Sequence, residues 1–375
     1  MNILYVSKID GRPWSGPSYS VPNQVKSQAK FDNVLWYNLV NTPIPEGKSN
    51  VEKWRQEKYY IDLTTVPSGR IKDLPHPFSN PDLIIVEQGY PFAREAIRRE
   101  IMKLNVPYIV VPRGELTASA QSKKKIKKII GNIVLGYYRF MGKAKAIHFL
   151  TEQEKRETSE KWNKNSIVIP NGTIVPSRIQ RNYQKDQIKC VSIGRIEPYQ
   201  KGIDLLIEAC IEIKQQLIDN NVTISFYGSN QEGKLDELKK MITDNGMTAI
   251  ISFHDGVFGQ EKENVLISAD VFLMTSRFEG HPTGLLEALA YGLPCLVTTG
   301  SNMRKEVEVA NAGWGADNSV EAIKNAMLAM ISQRESYTSK GNNAYNLSLK
   351  YDWDALAKRT HFIYEGLLNI NKRGG

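Results

Sequence analysis

With 375 residues, 41% of them apolar and 24% charged, the chain has an ordinary globular balance and exceeds what one hydrophobic core usually serves, so two domains are expected. The three cysteines, Cys190, Cys210 and Cys295, are odd in number, far apart and set among apolar neighbours, which reads as reduced core residues and not as a disulfide framework. Net charge is +9 overall, but it divides at residue 183, with 29 − 16 = +13 before it and 20 − 24 = −4 after it.

The opening residues Met1 to Ser7 lack the basic and long apolar regions of a signal peptide, and no uncharged apolar run of membrane-spanning length occurs. A cytoplasmic protein is expected, peripheral on the inner face of the cell membrane if it touches a membrane at all. In chain order, a strand at Ile3 to Ser7 leads through the loop Trp14-Ser15-Gly16-Pro17-Ser18 to a helix from about Tyr19 to Lys30. Strands follow at Val34 to Tyr37, Leu83 to Val86, Pro107 to Val111, Ala146 to Leu150 and Ile167 to Ile169, short apolar runs that suit parallel strands buried on both faces. Thr151-Glu-Gln-Glu154 forms a capping box and starts a helix reaching about Trp162.

Between these strands lies the basic segment Ser122 to Arg139, with Lys123, Lys124, Lys125, Lys127 and Lys128 beside an apolar Ile/Val pattern. It reads as an amphipathic segment for an anionic lipid surface, with a solvated helix face as the plain alternative. It matches no nucleic-acid recognition module, and no nucleic-acid partner is expected.

Asn171-Gly172 and the polar stretch Pro176 to Lys185 interrupt the pattern, giving expected domains of 1–183 and 184–353. The alternation restarts with Ile188 to Gly194, Leu205 to Leu217, Val222 to Gly228, Leu235 to Thr243, Ile250 to Phe253, Val271 to Thr275, Thr283 to Tyr291 and Cys295 to Thr298. A second open parallel sheet follows from that order. A last helix runs from about Asp354 to Ile370.

In open α/β sheets ligands bind beyond the carboxyl ends of the strands. There, Gly194-Arg195-Ile-Glu-Pro-Tyr-Gln-Lys201-Gly202 sets two cations and two glycines around one turn, suited to a diphosphate, although the spacing taken alone reads sooner as a solvated loop. A later strand ends in Arg277-Phe-Glu279-Gly280-His281-Pro282-Thr283-Gly284-Leu285, followed by a helix carrying Glu287. Backbone N–H groups from Gly280 to Leu285 suit an anion or sugar oxygens, and the carboxylates of Glu279 and Glu287 suit vicinal hydroxyls. The plain alternative has Glu287 complementing the helix dipole and Glu279 as a loop charge. In the first half, Gly16 permits close backbone approach to a ligand, and Arg113 after a strand faces the expected acceptor side. The five histidines show no ligand spacing, and no metal or other cofactor is expected.

Gly194-Arg195 … Lys201-Gly202, then Glu279-Gly280 … Leu286-Glu287-Ala288 … Gly292-Leu293-Pro294, resembles family 4 of the retaining glycosyltransferases, of GT-B architecture. The likeness extends to Gly16-Pro17, to Ile169-Pro-Asn171-Gly172 and to the ending Trp353 to Ala357. It implies two Rossmann-like domains facing each other across a cleft, with the final helix returning to the N-terminal one. It implies a nucleotide-sugar donor with Arg195 and Lys201 on the diphosphate, Glu279 on the sugar and Glu287 on the ribose. It further implies metal-independent transfer of a hexose, with retention, to a glycan or lipid-linked acceptor in polysaccharide, lipopolysaccharide or glycolipid synthesis. Where many members carry a histidine after an N-domain strand, this chain has Arg113. The Asp352-Trp353-Asp354 triplet reads as a helix cap and not as a metal site. The competing readings are a sugar-nucleotide epimerase or hydrolase on the same fold, and a non-catalytic sugar-nucleotide-binding protein.

Overall fold

A computed structural model describes residues 1–13, 15–40, 49–90, 96–122, 125–179, 181, 183, 186–230 and 233–369, with the side chains of 119 and 125–127 excepted. Two compact units result: Met1–Gly172 together with Trp353–Gly375, and Thr173–Asp352. The division therefore falls at Gly172, ahead of the polar stretch that marked residue 183 in the sequence.

The first unit carries β1 (Asn2–Ser7), β2 (Asn33–Asn38), β3 (Tyr60–Asp62), β4 (Leu83–Glu87), β5 (Tyr108–Val111), β6 (Ala146–Phe149) and β7 (Ser166–Val168) in the order β3-β2-β1-β4-β5-β6-β7. The second carries β8 (Ile188–Ile193), β9 (Val222–Tyr227), β10 (Ile251–His254), β11 (Val271–Met274), β12 (Cys295–Thr298) and β13 (Gly313–Ala316) in the order β10-β9-β8-β11-β12-β13. Every pairing is parallel.

The apolar runs explain this. Alternate residues point to opposite faces, so Leu4, Val6, Ile84 and Val86 enter one core while Ile3, Tyr5, Leu83 and Ile85 enter another. The second sheet divides likewise, with Cys190, Ile224 and Leu273 on one side and Val191, Phe272 and Cys295 on the other. All three cysteines are buried and free.

Several elements depart from the sequence reading. β3 has three residues and β13 two glycines, so neither carries an apolar run. A side chain at Gly313 would lie 1.8 Å from the Cys295 carbonyl, so glycine is what allows that pairing. The helix expected from Leu205 to Leu217 breaks at Ile213 into Ile203–Glu212 and Lys214–Asp219. Thr151 does cap its helix, its hydroxyl accepting from the Glu154 N–H at 3.0 Å. That helix ends at Glu157, because Thr158 turns extended and bridges Thr117.

The last helix, Trp353–Asn369, belongs to the first unit and packs on the helix Gly16–Gln28. Leu356 and Tyr364 enter the same core as Val21 and Val25. Lys30 pairs with Asp354, and His361 Nδ1 lies 3.0 Å from Asp32. Among the described residues no helix is long and apolar enough to cross a membrane.

Candidate functional site

In the second unit, the carboxyl ends of β8 and β11 are adjacent because those strands pair, and their loops meet. Two glycines let the loop after β8 touch the one after β11 and let the end of β9 touch that of β8. A Cβ at Gly202, whose φ is +61°, would lie 2.0 Å from the Thr275 carbonyl oxygen, and one at Gly228 would lie 1.7 Å from that of Gly194. The backbones are thus in direct contact where the sequence placed the chemistry.

Around this contact the side chains converge. Lys201 Nζ donates to Glu279 Oε1 at 2.6 Å, and the same oxygen accepts from the Ser276 hydroxyl at 2.7 Å. Arg195 donates to Gln200 Oε1 at 3.2 Å, leaving guanidinium donors beyond that bond. Asn302, held at φ +60°, donates to the Gly280 carbonyl at 3.0 Å and also to that of Glu279. Arg277 pins the loop from outside, gripping both carboxylate oxygens of Asp204 at 2.7 and 2.8 Å.

The helix Thr283–Ala290 begins beside the end of β8, where a Cβ on Gly284 would sit 3.2 Å from the Ile193 carbonyl. Pro282 occupies its N-cap position. The N–H of Leu285 donates to the Pro282 carbonyl at 3.1 Å, so the helix's own first turn consumes it. Leu285 is therefore removed from the N–H groups expected to face a ligand, and its side chain is buried in the core. His281 is buried, and burial pushes it down to about 3, so it stays neutral at working pH.

Glu287 sits one turn into that helix and meets Lys262, Nζ to Oε1 2.6 Å. Lys262, Ser276 and Asn302 escaped the sequence reading. Lys262 lies on the helix Gly259–Ser268, whose apolar pattern is weak, while Asn302 is marked only by its left-handed backbone.

In the first unit, Gly16 opens its helix and an added Cβ there would meet nothing within 4 Å. Trp14 lies outside the described residues. Arg113 stands differently from the expected acceptor-facing cation. Its guanidinium donates to Glu87 at 2.8 Å, Ser20 at 2.9 Å, Asn171 at 3.1 Å and Gln24 at 3.3 Å, with the side chain 6% exposed. It is an internal tie between strand ends and the helix Gly16–Gln28. Nearby, burial pushes the Glu115 carboxyl up to about 7, against the pull of two N–H donors from Gly89 and Tyr90.

Asp352 joins Thr173 in a backbone β-bridge, while the Asp354 carboxylate is engaged by Lys30. Among the described residues, no three His, Cys, Asp or Glu side chains are grouped to hold a metal ion.

Comparison with known proteins follows the same division. Residues 176–347 match the family described as Glycosyl transferases group 1. An uncharacterised glycosyltransferase of Haemophilus influenzae is 26% identical over 286 residues, 71% of this chain and 78% of that protein. The amylovoran biosynthesis glycosyltransferase AmsK of Erwinia amylovora is 30% identical over 155 residues, covering 40% of this chain and 37% of its own length. Among solved structures, Anabaena HepE in complex with UDP superposes with a TM-score of 0.74 at 15% identity, covering 98% of this chain and 100% of that one. The same protein has been solved with UDP-glucose. That likeness establishes the fold, GT-B, with its two Rossmann-like α/β domains. The stretch that resembles the group 1 glycosyl transferases, residues 176–347, is nearly all of the second unit.

Proposed function

We propose that the chain is a retaining glycosyltransferase that moves a hexose from a UDP- or GDP-sugar to a glycan or lipid-linked acceptor, in polysaccharide, lipopolysaccharide or glycolipid synthesis. The observation that carries this reading is the convergence of Arg195, Lys201 and Glu279 on one strand-end crevice, with Lys201 and Glu279 in contact. HepE, solved with UDP-glucose, lends support for the donor class.

In this reading Arg195 and Lys201 neutralise the diphosphate as it departs, where negative charge grows in the transition state. Glu279 accepts hydroxyls of the donor sugar and Glu287 those of the ribose. Gly280, His281, Pro282, Thr283 and Gly284 line the sugar side with backbone. The C1–O bond to the diphosphate breaks as the acceptor oxygen bonds C1 from the same face, and a phosphate oxygen receives the acceptor's proton. No side-chain base and no metal is required. The basic first half fits a protein working at the inner, anionic face of a membrane.

A donor screen by mass spectrometry, pairing UDP- and GDP-sugars with a lipid extract, tests the reading. A glycosylated product is expected. Donor consumption without such a product would favour an epimerase or hydrolase, and binding without turnover a sugar-nucleotide-binding protein.

A further inference from the structure

The helix Lys125–Val134 in the first unit has two very different sides. On one, Asn132 is buried, accepting from the Tyr90 hydroxyl at 3.0 Å and donating to Gln121 at 3.2 Å. Lys128 reaches back to the Ala120 carbonyl and sits 5.8 Å from the Tyr90 ring centre. Tyr90 in turn stacks on Tyr137 at 4.5 Å, and its N–H donates to Glu115. The inner side is thus fastened to the loops that follow β4 and β5.

The other side is apolar and in water. Ile129, Ile130, Ile133 and Val134 are 41%, 56%, 64% and 75% exposed, at i, i+1, i+4 and i+5 of one helix. Scattered surface hydrophobes are ordinary, but four β-branched residues on one exposed arc form a patch. Chemistry around the patch names its partner. From Leu116 to Thr151 the sequence holds no Asp or Glu, while Lys123, Lys124, Lys125, Lys127, Lys128, Arg139, Lys143 and Lys145 lie within it. Residues 123 and 124 and the side chains of 125–127 lie outside the described residues, so their part rests on sequence position alone. A second copy docked about a two-fold axis would set this acid-free stretch against itself, like charge on like charge. Nucleic acid would match the charge but leave the aliphatic arc unused. An anionic lipid surface satisfies both at once.

We infer that Ile129, Ile130, Ile133 and Val134 insert into an anionic bilayer, and that this helix sets the loops after β4 and β5 at the lipid surface. The inference rests on the proposed lipid-side acceptor and gives that reading a physical docking element. It differs from simple electrostatic adsorption, because inserted aliphatic side chains hold when salt screens the lysines.

The test is sedimentation of the full chain with phosphatidylcholine vesicles, with and without phosphatidylglycerol, at about 0.1 M and about 1 M salt, where screening lengths are about 10 and 3 Å. Binding to the anionic vesicles is expected, with a fraction persisting at high salt. In the Ile130→Glu/Ile133→Glu protein the partition should fall by on the order of tenfold or more, two apolar side chains being lost from the contact. Its thermal transition and nucleoside-diphosphate affinity should be unchanged, since both positions are exposed. Equal sedimentation of the two proteins, absence of wild-type binding, loss of all binding at high salt, or a concentration-dependent dimer abolished by the substitutions would each overturn the inference. Nucleoside-diphosphate binding and donor turnover are read without vesicles, so a failure of the glycosyltransferase reading would register separately.

Discussion

Lys201 Nζ lies 2.6 Å from Glu279 Oε1 across 78 residues of sequence, with the two side chains 20% and 11% exposed. Glu287 stands in the same relation to Lys262, at 2.6 Å. Each carboxylate assigned here to hydroxyl recognition is thus oriented by a lysine that fixes one oxygen and leaves the other for a ligand.

For the second pair this predicts a positioning role. Lys262→Met should raise the Kd for nucleoside diphosphate by roughly tenfold, the scale of one charge-assisted hydrogen bond. Lys262→Arg should restore most of it. Calorimetry with UDP and GDP reads the effect, and an unchanged Kd in Lys262→Met would show that Glu287 needs no such support.

The glycine contacts should be unforgiving. Gly202→Ala puts a methyl 2.0 Å from the Thr275 oxygen at a φ of +61°, and Gly228→Ala puts one 1.7 Å from the Gly194 oxygen. Overpacking of this kind costs about 1–3 kcal/mol or more, and at about 2–4 °C per kcal/mol for a domain of this size it should be plain in a melting curve. Gly16→Ala, where the space is open, should melt with the wild type.

Arg113 should prove a stability residue. Arg113→Met leaves Glu87 buried without its cation, at a cost of about 3–5 kcal/mol. Arg113→Lys should recover little, because one ammonium cannot reach Glu87, Ser20, Asn171 and Gln24 together. Chemical denaturation measures both, and wild-type stability in Arg113→Met would return this side chain to the acceptor side.

Glu115 gives a pH dependence. Burial raises its carboxyl from 4.5 to about 7, so the folded state favours the proton. The stability of that neutral form is fully present below about 4.5 and is lost as pH rises through about 7. Glu115 should therefore lower the melting temperature of the wild type as pH rises from about 4.5 to about 7, and Glu115→Gln should lack this contribution. Parallel profiles for the two proteins would contradict the assignment.

Most of the architecture was legible because parallel strands buried on both faces leave continuous apolar runs, as in Leu83 to Val86. β13 was hidden because its Gly313 exists to let the Cys295 carbonyl come close, which leaves no hydrophobic signal. Within the candidate site, Arg195, Lys201, Glu279 and Glu287 stood out through their place after strand-like runs. Lys262 did not, since its significance is a contact with a residue 25 positions away, and spacing within one element carries no trace of that. Arg113 misled for a related reason. A cation after a strand looks the same in sequence whether it faces a ligand or, as here, an inward carboxylate such as Glu87.

The donor grip is tested most directly by measuring Glu279→Ala and Glu287→Ala side by side, for nucleoside-diphosphate Kd by calorimetry and for donor turnover by mass spectrometry. Glu279→Ala should lose turnover by about a hundredfold or more while its Kd moves little, as expected for an interaction made with the transferring sugar. Glu287→Ala should weaken diphosphate binding itself by about tenfold. Normal turnover in both variants would contradict the assignment of these carboxylates to the donor.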